Sequence, residues 1–146
     1  MKQKQINEIR EFNRFYTIIV GLLNKHLLNS RFTLPEARIL FELYNNKDMT
    51  ASNIITSLHL DKGYLSRILR QFEKEKIIVK VKSDNDKRHT YLRLTEQGEK
   101  EFQILNEASN KQITGILKQL SPEDCNQLTE NMKSIKSILS KIKIQL

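Results

Sequence analysis

Two helical patterns separated by three residues constrain this chain more than any other feature. The run ASNIITSL at 51–58 carries Ile54, Ile55 and Leu58 at helical spacing. After His59, Leu60 and Asp61, a second apolar period runs through Leu65, Ile68, Leu69 and Phe72. So short a connection turns the second helix sharply outward, which is helix-turn-helix geometry. Asp61 is an expected N-cap, and Leu60 and Leu65 are spaced for a hydrophobic staple that fixes the entry angle. The face left to solvent carries Lys62, Gly63, Ser66, Arg67, Arg70 and Gln71. Gly63 costs helix stability, about 1 kcal/mol against alanine. Two readings of it stand equally: close backbone approach to a phosphate, or a tolerated glycine at a frayed end.

Two alternating stretches follow, IIVKVK at 77–82 and HTYLRL at 89–94, joined by the charged tip SDNDKR. Ile77, Val79 and Val81 alternate with Ile78, Lys80 and Lys82, and Thr90, Leu92 and Leu94 with His89, Tyr91 and Arg93. β-Branched and aromatic residues at period two predict a hairpin. A hairpin this small must lean on a helical core. A basic helix followed by a basic hairpin suits DNA. The major groove admits a helix and presents base edges that side chains can distinguish, and the hairpin can reach the neighbouring minor groove or phosphates. The expected fold is mainly α with a small β-hairpin wing, a winged helix-turn-helix over 33–95 within a single domain of 1–146.

Charge follows the same division. The net charge is +8. Residues 1–60 hold eight basic and five acidic side chains, 61–93 hold ten and five, and 94–146 hold seven of each. The excess is densest over the helix and hairpin, the footprint of a chain that neutralises phosphates. A solvated basic surface without a specific partner is the competing explanation.

The flanking segments carry more apolar residues than such a head can cover. Residues 5–28 read as one long helix, with Ile6, Ile9, Phe12, Tyr16, Ile19, Leu23 and Leu27 in steps of three or four. Phe15, Ile18, Leu22 and Leu28 widen the stripe almost all round its second half, so it must be covered on more than one side. A second subunit or a central place in a monomer core would each do this. Thr33 and Glu36 form a capping box before LPEARILFEL, whose inward face reads as Ala37, Leu40, Phe41 and Tyr44. Thr50 caps 51–58, and Thr95 caps a helix running to about Gln119. Ser121-Pro122-Glu123-Asp124 restarts the chain as a last helix. Residues 5–28 and 96–146 are therefore expected to be dimerisation helices.

Other classes find little support. No apolar run approaches the roughly 18 residues of a spanning helix, and MKQKQINEIREF has neither the apolar centre nor the cleavage site of a signal peptide. A cytoplasmic protein is expected. The single cysteine, Cys125, excludes an intramolecular disulfide and a cysteine-cluster metal site. It sits in a first helical turn beside acids that oppose thiolate formation, so no redox role is assigned. His26, His59 and His89 are isolated from one another. There is no partnered nucleophile, phosphate-binding glycine loop or paired carboxylates, so neither enzyme activity nor a cofactor is expected.

The order of elements and several strings resemble the MarR family of winged-helix regulators over essentially the whole chain. The matching stretches are LPEARILFEL, TASNIITSLHLDKGYLSRILRQFEKEKII and SDNDKRHTYLRLTEQG. The family's D-x-R wing pattern appears as Asp86-Lys87-Arg88, and its L-x-L-T-x-x-G exit as Leu92 to Gly98. REFNRFYT, LPEARILFEL and DKGYLSRILRQFEK also resemble the DNA-binding half of chains in which this domain is fused to a GNAT acetyltransferase. No acetyl-CoA loop is present, and that activity is not carried over.

The resemblance implies a homodimeric regulator, expected to act as a repressor on a palindromic operator. Lys62, Gly63, Tyr64, Ser66, Arg67, Arg70 and Gln71 would enter a major groove. Lys82 and Lys87 would meet phosphate, and Arg88, oriented by Asp86, would enter the minor groove. Tyr64 departs from the serine or threonine common after that glycine, so the bases read are not carried over. A small-molecule effector is implied near Phe15, Tyr16, Ile19, Phe41 and Tyr44; an aromatic cluster of this kind is more often plain core. Two other readings stay open: a winged-helix docking module without specific DNA binding, and a regulatory subunit for a separate acetyltransferase.

Overall fold

The computed structural model describes residues 2–85 and 88–143. The chain divides into two compact units, Met1–Ser109 and Asn110–Leu146.

The core of the first unit is built by short helices whose starts are set by their own side chains. Helix α2, Leu34–Asn45, begins at Thr33, whose hydroxyl accepts from the Glu36 amide while the Glu36 carboxylate accepts from the Thr33 amide. Helix α3, Ala51–Leu58, begins the same way at Thr50 with Asn53. Helix α4, Lys62–Lys74, begins at Asp61, whose carboxylate accepts from the Tyr64 amide at 2.9 Å. Each cap satisfies amides that a helix start leaves open, worth about 1 kcal/mol apiece. Between α3 and α4, His59 takes a left-handed conformation with φ of 52°. Ile54, Leu65, Ile68, Leu69 and Phe72 are buried, and Leu60 packs on them as expected of a staple residue.

The inward face of α2 differs from the expected one. Ile39, Leu40 and Leu43 are buried, whereas Phe41 and Tyr44 are half exposed. The two rings turn instead to Phe102, at 6.3 and 4.6 Å between ring centres. Periodicity alone could not choose between these faces, because the partner that selects Phe41 and Tyr44 is far along the chain.

Strands β1, Ile78–Lys82, and β2, Thr90–Leu94, pair antiparallel with Ile78 opposite Leu94 and Lys82 opposite Thr90. Both Ile77 and Ile78 are buried while Val79 is exposed, so burial along β1 does not follow the expected alternation of Ile77, Val79 and Val81 against Ile78, Lys80 and Lys82. Met49 adds an isolated bridge to Leu92, which the sequence reading did not foresee. Helix α5, Glu96–Leu117, follows directly. At this junction Thr95 Oγ1 donates to the Lys76 carbonyl and accepts from the Gly98 amide. The L-x-L-T-x-x-G string thus ties the end of β2 to the end of α4.

Helix α1 is Gln3–Leu23, shorter than the expected 5–28, and a 3-10 turn at Lys25–Asn29 follows it. Apolar spacing persists through Leu27 and Leu28, so periodicity gave no sign of the break at Asn24. No residue of α1 is buried, and Ile9, Phe12, Phe15, Ile18 and Leu22 are largely exposed. In the second unit, helix α6, Pro122–Leu139, starts at Ser121, whose hydroxyl accepts from the Asp124 amide. It buries nothing, and Leu128, Met132, Ile135 and Leu139 form an exposed stripe at helical spacing. Such apolar faces call for a cover. No helix in the described residues is long and apolar enough to cross a membrane.

Candidate nucleic-acid interface

Helix α4 presents two opposite faces. Leu65, Ile68, Leu69 and Phe72 hold it against the core, so Lys62, Gly63, Ser66, Arg67, Arg70 and Gln71 all lie exposed. Tyr64 is only partly buried and packs at the edge of the core. The Arg67 guanidinium lies over its ring, 5.9 Å from the centre, within reach of a cation–π attraction. Tyr64 therefore backs Arg67 besides facing outward itself. Arg67, Arg70, Gln71 and Lys74 line a shallow open hollow on this face. Lys74 was not among the expected contacts, although its spacing from Arg70 and Arg67 places it on the same side.

The acids near this face are already engaged. Glu73 pairs with Lys80 at 3.2 Å. Glu75 accepts from Arg31 Nη1 at 2.6 Å and from Gln71 Nε2. These two contacts, Gln71 first and then Arg31, hold the Glu75 carboxyl below the ordinary glutamate range. Among the described residues Arg67 and Arg70 form no ion pair, so the neutralisation by Glu73 or Glu75 that a plain solvated face would show is not seen. Two uncompensated guanidiniums on a firmly held helix are suited to phosphate or to the bidentate edge of guanine.

The hairpin brings a second group alongside. Arg88, His89, Thr90 and Tyr91 share an open hollow with Asp48 and with Thr50, Ala51, Ser52 and Asn53 at the start of α3. Lys82 and Arg88 are exposed, as a phosphate or groove contact requires. Asp86 and Lys87, and with them the expected orientation of Arg88 by Asp86, lie outside the described residues. An ion pair between Arg93 and Asp48, 3.1 Å, anchors β2 to the loop before α3. Sequence reading missed both this hollow and Arg31. Arg31 meets its partners 44 and 70 residues away, so no local pattern reveals it.

The expected effector residues do not gather into one described contact. Phe41 and Tyr44 face Phe102, Tyr16 stacks on Phe12 at 5.4 Å, and Phe15 is well exposed. Ile19 is partly buried.

Comparison with known proteins matches residues 32–90 to the family model described as MarR family. Over 105 residues the chain is 29% identical to the HTH-type transcriptional regulator MgrA of Staphylococcus aureus, covering 72% of this chain and 67% of that protein. A MarR family protein from Bacillus stearothermophilus has the same fold, with a TM-score of 0.81 at 18% identity over 97% of this chain and 99% of that one. MepR, a transcription regulator of the Staphylococcus aureus multidrug efflux pump MepA, gives a TM-score of 0.69 at 23% identity, covering 86% and 95%. At such identities the structural likeness speaks for the fold alone.

Proposed function

We propose that the chain works as a homodimeric, sequence-specific regulator of transcription, a repressor on a palindromic operator, a reading supported by the match of residues 32–90 to the MarR family model. The coarser function, a DNA-binding transcriptional regulator and not an enzyme, is supported by the family match and by the regulators similar to this chain.

The observation that carries the reading is the outer face of α4, where Arg67 and Arg70 stand exposed while Glu73 and Glu75 are bound elsewhere. In this reading Arg67, Arg70 and Gln71 read bases. Lys62, Lys74 and Lys82 meet phosphates, which sets affinity and salt dependence more than sequence choice. Arg88 serves the minor groove. Exposed apolar residues on α1 and on α6 support self-association, since a second copy is a cover that each would have. Two-fold symmetry of the protein then requires two-fold symmetry of the site. A small effector, if one acts, has the half-exposed rings of Phe41 and Tyr44 as an apolar platform and would act by favouring one spacing of the two heads.

The test is binding to DNA from upstream of the chain's own coding region, and to random genomic fragments, at two salt concentrations with unrelated competitor. A competitor-resistant footprint over an inverted repeat supports the reading. Equal, weak, low-salt binding to every fragment favours a docking module instead.

A further inference from the structure

The link between the 3-10 turn and α2 carries Arg31, whose guanidinium joins two carboxylates. Nη1 donates to Glu75 Oε2 at 2.6 Å, while Nε and Nη2 donate to Glu101 Oε2 at 3.0 and 2.5 Å. The same side chain lies over the Phe32 ring at 4.7 Å, and Phe32 meets Phe72 of α4 edge to face. Arg31 is thus fixed on both its charged and its flat surfaces. Glu75, at the end of α4, turns its second oxygen, Oε1, to Gln71 Nε2.

An ionised carboxylate only accepts hydrogen bonds, so the group of Gln71 that faces it must be the amide nitrogen. This decides the orientation of the Gln71 amide on chemical grounds. Its carbonyl oxygen and one remaining N–H are left for another partner. Adenine is the base whose major-groove edge offers an amino donor beside a ring acceptor, the pair a glutamine amide meets in bidentate fashion. A side chain already held in one rotamer also loses less entropy on binding. Arg31 has a second effect, because it compensates a carboxylate that would otherwise face approaching phosphates bare.

Resting on the DNA-reading function above, we infer that Arg31 is a positioning residue for base recognition: through Glu75 it holds Gln71 in the orientation that reads adenine at one position of each half-site. Arg31 itself touches no base.

The experiment is selection of bound sequences from a randomised double-stranded DNA pool by the full chain, repeated for Gln71→Ala, Arg31→Met, Glu75→Ala and Arg31→Met/Gln71→Ala, each first checked for folding by circular dichroism. Arg31→Met keeps a long apolar stem over Phe32, and Glu75→Ala breaks the relay from its other side should Arg31→Met not fold. The wild type is expected to prefer adenine at one position by roughly tenfold or more. Gln71→Ala, Arg31→Met and Glu75→Ala should each lose that preference and keep the others, and the double variant should lose no more than either single one. Uniform weakening in Arg31→Met and Glu75→Ala with the adenine preference intact would overturn the inference. So would a motif unchanged in Gln71→Ala, with DNA reading left standing. A wild type that selects no motif overturns the functional reading, and this inference with it.

Discussion

Gly98 passes so close to Ile77 that a Cβ on it would stand 2.1 Å from the Ile77 carbonyl oxygen. That oxygen already accepts from the Thr95 amide at 2.9 Å, so it cannot move away without breaking the junction of α4, β1 and α5. The glycine is required by space and not by backbone conformation, since no glycine has a positive φ. Gly98→Ala is expected to destabilise the protein by about 3 kcal/mol, at the upper end of overpacking effects. Urea denaturation of the two proteins checks this.

Removing the cap of α4 should weaken the fold by less. The Asp61 carboxylate satisfies the Tyr64 amide at 2.9 Å, on an exposed turn. Asp61→Ala is expected to cost about 1 kcal/mol and Asp61→Asn less than that, again by denaturation.

The Glu75 carboxyl gives a pH signature. Gln71 first, and Arg31 second, lower it from the ordinary value of 4.5. A group depressed in the native state contributes stability in full above its unfolded value, and that contribution is lost as pH falls through the native one. The stability gap between wild type and Glu75→Gln should therefore be flat near neutral pH and shrink as pH falls below the ordinary glutamate value. Denaturation midpoints measured across that range decide it. A gap that widens in acid would contradict the arrangement.

Self-association has its own test. Ile135 lies in the exposed apolar stripe of α6, 41% accessible. If a second copy covers this stripe, Ile135→Glu buries a charge and should weaken the dimer by roughly tenfold or more. Sedimentation equilibrium reads the change directly.

What was legible in the sequence was what neighbours in the chain decide. Thr33, Thr50, Asp61 and Ser121 all cap as their positions predict, because each bond spans three residues. The outer face of α4 was legible too, since Leu65, Ile68, Leu69 and Phe72 leave it no alternative. What was not legible depends on distant partners. Phe102 decides where Phe41 and Tyr44 turn, Met49 extends the sheet at Leu92, and Arg31 reaches Glu75 and Glu101. The end of α1 at Leu23 was not legible for a different reason: apolar spacing continues unbroken past it. None of these leaves a periodic trace.

Phosphate contacts and base contacts should separate in their salt response. Lys62 is exposed at the start of α4. Lys62→Ala should weaken binding to all DNA alike and lower the slope of log K against log salt by about 0.9, one released counterion.

The most direct measurement is fluorescence anisotropy of the selected operator and of a scrambled duplex with wild type and Arg67→Ala/Arg70→Ala, at several salt concentrations. The outer face of α4 predicts that the double variant stays folded, loses roughly tenfold or more in affinity for the operator, and distinguishes it from the scrambled duplex by a much smaller margin than the wild type. A double variant that is folded and still prefers the operator by the wild-type margin would contradict α4 as the reading element.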